Sequence, residues 1–301
     1  MNASLPINAN QYIEKQLDDH ARSLERRLNS HVMCFNGHLI GGVDDAIRGT
    51  VEQRTRRDRT HDKLTMCVTT FGGYVEIVHR IVDTLRHHYK TVDFIIPNYA
   101  FSAGTVLVMS GDAIYMDYYS RLGPIDPQVE TESGRSVPAL GYLIQWERLL
   151  KKARSGKITL PEVQLMIEKF DQAELYQYEQ ERELSIALLK EWLAKYKFKN
   201  WTKTATRGIV VTDEMRRKRA SEIAKELNNT ERWHVHGHGI SMDVLQRDLN
   251  LIIDDLGKNQ KLNSQVRCYC GLLDDYMVKT QQQAVLHSVG IYTPFPSMSP
   301  E

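Results

Sequence analysis

Hydrophobic and polar positions alternate along this chain in two distinct textures. Between Lys63 and Met116, short apolar runs are separated by turns. Lys63 to Thr70 (KLTMCVTT) is β-rich and Phe71-Gly72-Gly73 makes a tight turn. Tyr74, Val75, Val78, Ile81, Val82 and Leu85 then recur at the spacing of a helix with one buried face. Thr91 to Ile96 (TVDFII) predicts a second buried strand ended by Pro97-Asn98, Ser102 to Met109 a short apolar helix, and Ala113 to Met116 (AIYM) a third strand. Strand, turn and helix repeated in this order predict parallel strands joined by crossover helices.

Upstream, His31 to Leu39 has a short β-like core that reaches Gly41-Gly42, and Val43 to Arg57 reads as a polar helix. Residues 8–30 set Tyr12, Leu17, Leu24 and Leu28 among charges, which predicts an amphipathic helix, either a solvated arm or a surface for a partner subunit. Beyond Gln128 the texture changes. Leu140 to Ala153, Pro161 to Phe170 and Ala173 to Tyr196 are long helical patterns, followed by a mixed segment, a short helix at Met242 to Leu249 and a last helix from Leu262 to Leu286. The expected organisation is an amino-terminal helical arm at 1–30, an α/β core at 31–135, a helical extension at 136–286 with a mixed segment at 201–253, and a flexible proline-rich tail at 287–301.

Composition narrows the function classes. The 301 residues are 42% hydrophobic, enough for one large core or two modest ones, and 39 basic against 38 acidic side chains leave a net charge of +1. No global field favours nucleic acid or an anionic membrane, and the basic run Arg54 to Arg59 (RTRRDR) reads as a solvated helix end. No stretch approaches the ~18 apolar residues that cross a bilayer. Four cysteines without a secretory signal at the amino end fit a reducing, cytoplasmic setting. Cys268 and Cys270 lack a second pair at ligand spacing.

Ser102 carries the candidate chemistry. It sits in Ala100-Phe101-Ser102-Ala103-Gly104, after a buried strand and at the start of an apolar helix, where a hydroxyl is presented above the strand ends. Gly72-Gly73 lies at another strand-to-helix junction, where glycine lets backbone N–H groups approach a substrate. The N–H groups of Gly73 and Ala103 together make a candidate oxyanion hole. Taken singly, a serine at a helix start is a cap and a glycine pair after a strand is a plain turn.

The runs TTFGGYVEIVHRIVDTL, IIPNYAFSAGTVLVMSGDAIYMD and SRLGPIDPQ resemble the Clp-fold serine peptidases, and most closely the serine dehydrogenase proteinase family, relatives of signal peptide peptidase A and Clp protease. The resemblance implies a Clp/crotonase-like superhelical core with Ser102 as nucleophile and Gly73 as an oxyanion donor. It also implies that Asp112 to Met116 is a strand leading to a turn beside the active site, and that the protein forms homo-oligomers acting on peptide or protein substrates without a cofactor. Clp protease places its histidine at the turn occupied here by Gly123-Pro124-Ile125-Asp126-Pro127-Gln128, which contains none. Signal peptide peptidase A uses a lysine about fifty residues beyond its serine, where this chain has Lys151, Lys152 and Lys157. A desolvated lysine there is a candidate base, with Lys152 the first choice. The cluster His234, His236 and His238 offers another, and His236-Gly237 resembles a His-Gly motif of the family. On a strand these three histidines would share one face, as a metal site needs, but Gly237 and Gly239 favour a turn. Asp126 either orients the base or caps its turn. A serine peptidase working through an acyl-enzyme is therefore expected. The alternatives are a catalytically silent peptide-binding or scaffolding relative and a crotonase-like acyl-CoA enzyme.

Overall fold

The computed structural model describes residues 8–126, 128–130, 136–169, 171–204, 206–233, 235 and 237–296. In chain order these begin with α1 (Ala9–Leu28), β1 (His31–Asn36), α2 (Val43–Arg57), β2 (Lys63–Thr69), α3 (Val75–His88) and β3 (Thr91–Ile95). Next come β4 (Tyr99–Ala100), α4 (Ala103–Met109), β5 (Ala113–Met116), β6 (Arg121–Leu122), β7 (Gln128–Glu130) and β8 (Ser136–Pro138). The helical half holds α5 (Ala139–Arg154), α6 (Leu160–Lys169), α7 (Gln172–Trp192), a π-helical turn at Leu193–Lys197, α8 (Asp213–Leu227) and α9 (Thr230–Trp233). The chain closes with β9 (Ile240–Ser241), α10 (Met242–Arg247), β10 (Asp254–Asp255), α11 (Gln260–Lys279), β11 (Gln282–Ser288) and β12 (Ile291–Pro296).

The main sheet has the order β10-β5-β3-β2-β1-β11-β12. Its β10, β5, β3, β2 and β1 run parallel, while β11 and β12 add antiparallel strands at one side. Both faces are covered, so the inner strands read as continuous apolar runs. Alternate side chains nevertheless go to different layers. Met33 and Phe35 of β1 and Leu64, Met66 and Val68 of β2 pack beneath α2, α3, α4, α7 and α8. Val32, Cys34 and Cys67 face α1 and α11 instead. Helix α3 forms where the sequence requires it, since Val78, Ile81, Val82 and Leu85 make one buried stripe. Each such side chain contributes roughly 1.5–3 kcal/mol relative to exposure.

The expected parallel α/β core and helical extension are present, and four expectations change. The amino-terminal helix packs on its own chain, with Leu17, Ala21 and Leu24 buried against Val266, Tyr269 and Leu273 of α11. The last helix ends at Lys279, and Gln281 at φ 56° turns the chain into β11. Residues 287–296, expected in a flexible tail, form the end of β11, a turn at 289–290 and β12, because the free side of β1 accepts another strand. Proline is tolerated in β12 because it is the edge strand, whose outer N–H groups have no ladder to join. The basic run is not a solvated end throughout either. Arg54 is buried and paired with Glu25 at 2.8 Å.

Candidate active site

A second sheet, β4-β6-β9, lies at the carboxyl ends of the parallel strands. Thr70, just beyond β2, forms a parallel bridge to Ala100 of β4, its N–H donating to Tyr99 O (3.1 Å) and its C=O accepting from Phe101 N–H (3.0 Å). The same residue's hydroxyl accepts the N–H of Gly72 at 3.0 Å. One threonine thus joins the glycine turn to the serine turn.

Ser102 stands at the N-cap of α4 with φ 53° and ψ −123°, a conformation that side-chain-bearing residues rarely adopt. Such a backbone costs of order 1–3 kcal/mol and persists only where its surroundings enforce it. Here they do. Gly104 N–H donates to Phe101 O (2.8 Å) and Thr105 N–H to Ser102 O (2.8 Å), and every residue of α4 is buried. The buried Thr105 hydroxyl accepts from Gly123 N–H (3.0 Å) and lies 2.8 Å from Ala100 O, which pins α4 to the loop that follows β6. The result is a half-buried hydroxyl held off the helix axis.

Gly72 and Gly73 have φ of 106° and 150°. A Cβ on Gly72 would come within 2.8 Å of both Phe101 O and Ser102 Cβ, and 3.2 Å from Ala103 N. Gly73 bridges Leu39: Leu39 N–H donates to Gly72 O (2.8 Å) and Tyr74 N–H to Leu39 O (2.9 Å). With Gly72 N–H on Thr70, the N–H of Gly73 belongs to none of these bonds. In a parallel bridge it points away from the partner. The N–H of Ala103, at the first position of α4, has no acceptor within its helix.

These turns form one wall of a cavity of about 490 Å³ that contains Ser102, Gly72, Gly73, His38 and Ile125, closed from the other side by Tyr178, Glu181 and Leu184 of α7. A larger polar cleft, about 870 Å³, is lined by Arg48, Asp58, His61, Asp83 and His88. Of these, Asp58 and His61 precede β2 and His88 precedes β3, so the cleft borders the amino-terminal ends of these strands, whereas ligands of open α/β sheets bind beyond the carboxyl ends.

The sequence-derived site residues fall into two groups. Ser102 and Gly73 share the cavity, Ala103 follows Ser102, and Asp126 is buried next to the lining residue Ile125, whose N–H donates to Leu227 O at 3.1 Å. Lys152 does not line the cavity. It is exposed on the last turn of α5, 2.5 Å from Glu162, whose carboxyl Lys152 and the Thr159 groups hold down to about 2. Lys151 and Lys157 are exposed as well. His234 and His236 lie outside the described residues, as does Pro127. The described residues around the histidine pair lead towards the site: Trp233 is buried, and Ile240 of β9 pairs with Leu122 of β6, which in turn pairs with Ala100 of β4. The strand Ala113–Met116 ends in the turn at 117–120 that feeds β6, as the resemblance implied. Among the described residues no group of three His, Cys, Asp or Glu is arranged to hold a metal ion. Sequence reasoning missed His38 and the contact of Gly72 with Ser102. His38 sits on the exposed segment after β1, stacked 6.0 Å from Phe71, and nothing in the local pattern signals its approach.

A family model described as ClpP-like SDH-type serine proteinase matches residues 44–213. The chain belongs to this family. The proteinase match begins in α2 and ends at the first residue of α8, so it takes in both turns of the site and leaves out the segment with His236. Two curated relatives are uncharacterized proteins of Methanocaldococcus jannaschii. MJ0137 is 36% identical over 77 residues (25% of this chain, 27% of that protein), and MJ1495 is 28% identical over 150 residues (50% and 46%). The chain thus spans about a quarter to a half of their lengths. Similar solved structures include ClpP1 from Listeria monocytogenes, at 12% identity and TM-score 0.42 over 80% of this chain and 94% of that one. Another is a mutant of the 1510-N membrane-bound stomatin-specific protease, at 12% identity and TM-score 0.43 over 77% and 82%. No helix among the described residues is long and apolar enough to cross a membrane.

Proposed function

We propose that this member of the family is a serine endopeptidase that cleaves peptide bonds through an acyl-enzyme on Ser102. The observation that carries the reading is the strained Ser102 backbone facing the Gly72-Gly73 turn in one cavity. Ser102 Oγ attacks the scissile carbonyl and passes its proton to a base. The N–H groups of Gly73 and Ala103 receive the negative charge that develops on the carbonyl oxygen, an effect worth about 2.7–4 kcal/mol per donor in acyl transfer. The base then protonates the leaving amine, and water releases the acyl group by the reverse sequence. A histidine is the proposed base, either His38, which lines the cavity, or His236 oriented by Asp126. Lys152 is the less apt choice, because its ammonium is in water and on a carboxylate. Homo-oligomers in the cytoplasm complete the proposal.

A fluorophosphonate probe tests it. Ser102-dependent labelling, lost in Ser102→Ala, is the expected result. A folded wild-type protein that never labels at Ser102 would make the chain a silent peptide-binding relative.

A further inference from the structure

The cavity around Ser102 has a one-sided charge. Apart from histidine, the ionisable carboxylates among its described lining residues are Glu76, on the first turn of α3, and Glu181, on α7; no lysine or arginine lines it with them. The two carboxylates therefore face the same space from different elements. The Glu181 carboxylate accepts a hydrogen bond from Gln177 Nε2 at 2.9 Å, and the adjacent Arg182 turns instead to Glu179 and Glu183. Glu76 is exposed on the opposite wall. Between them, Tyr74, Val75, Ile125, Tyr178 and Leu184 supply apolar surface. An apolar channel with acid groups beside it suits a side chain with a hydrocarbon stem and a cationic head, because the stem is buried while the charge stays partly hydrated and paired.

We propose that this site selects peptides by a lysine or arginine side chain next to the bond being cleaved, with Glu181 and Glu76 as the residues that set the preference. The inference rests on the peptidase reading above and names its substrate class. Neutral residues would fill the same apolar channel without the charge pairing, and acidic ones would meet two like charges in a partly desolvated space.

The test uses two peptidyl diphenyl phosphonates that differ only in carrying a lysine or a norleucine analogue at the position next to phosphorus. Ser102 Oγ displaces one phenoxide, which leaves as phenol with the serine's proton. The readout is the ratio of second-order labelling rates, with a side-chain-free fluorophosphonate in parallel. The expected ratio favours lysine by about tenfold or more, shrinks several-fold in Glu181→Gln and in the double variant with Glu76→Gln, and declines as salt is raised. Labelling by the fluorophosphonate with a ratio near one in wild type overturns the preference alone. A ratio unmoved by both substitutions overturns the assignment to these two carboxylates. No labelling of Ser102 by the fluorophosphonate overturns the peptidase reading and takes the preference with it. Circular dichroism of each variant separates these outcomes from misfolding.

Discussion

Gly72 and Ser102 touch so closely that a methyl group on the glycine would sit 2.8 Å from the serine's Cβ. Two turns separated by a helix and two strands in sequence are thus shaped against each other. Gly72→Ala adds a clash with Ser102 and forces a side chain onto φ 106°. The variant should lose roughly 1–3 kcal/mol of stability and label with fluorophosphonate at least about tenfold more slowly than wild type. A wild-type labelling rate in folded Gly72→Ala would show that the glycine does not position the serine. Thermal unfolding and labelling kinetics on the same sample give both numbers.

Ser102 itself is held at a positive φ, so its replacements should differ in a telling way. Ser102→Ala keeps the strain, whereas Ser102→Gly releases about 1–3 kcal/mol of it and gives back about 0.5–1 kcal/mol through chain flexibility. Both variants should be unlabelled, and the glycine variant should melt higher than the alanine variant by roughly 2–4 °C. Equal melting temperatures would limit the strain at Ser102 to the amount that glycine's flexibility offsets, about 1 kcal/mol or less.

The base is read from the pH dependence of labelling. A histidine base gives a rise centred near ~6.5 that survives Lys152→Met, a substitution that keeps the apolar stem. His38→Ala and His236→Ala should then separate the two histidines, one of them costing about 10²-fold or more. Loss of labelling confined to Lys152→Met would restore the Ser-Lys arrangement.

Asp274, on α11, is pushed up to about 6 by burial, against the hydrogen bond it accepts from Asn36 at 2.7 Å. The folded protein therefore holds this proton more tightly than the unfolded chain, whose carboxyl has the ordinary value of 3.8. The contribution of Asp274 to folding stability therefore falls as pH rises from about 4 to about 6 and levels off above. Asp274→Asn, which keeps an oxygen for Asn36, should remove that loss. Its stability gain over wild type should grow across the same window and reach about 1–2 kcal/mol at neutral pH once solvent screening is allowed for. A gain independent of pH would rule out this proton as the cause, and denaturant titrations at pH 4, 5, 6 and 7 decide it.

The strands and helices from Lys63 to Met116 were legible because each apolar run is bounded by glycine or proline and each helix keeps one period. The serine turn was legible as a place but not as a shape, since no residue pattern states a φ of 53°. Two adjacent glycines give no sign of which one meets Ser102 and which meets Leu39. Contacts made across long stretches of chain were hidden altogether. Cys34 and Cys67 are register partners on β1 and β2, and Cys270 of α11 brings its sulfur to 3.8 Å from that of Cys34, yet in sequence Cys270 stands more than 200 residues from both. Strands β11 and β12 escaped notice because the prolines of an edge strand look like those of a loose tail.

The register of β1 against β11 carries a consequence for biosynthesis. Met33 to Asn36 pair with Val285 to Ser288, so a strand made among the first residues waits for partners translated about 250 residues later. At roughly 5–20 residues per second that is a delay of tens of seconds. Throughout it, one side of an apolar strand offers open hydrogen-bonding groups, and α1 lacks the helix on which it packs. Strand β1 is thus open to wrong pairing during synthesis until β11 has emerged to cover it.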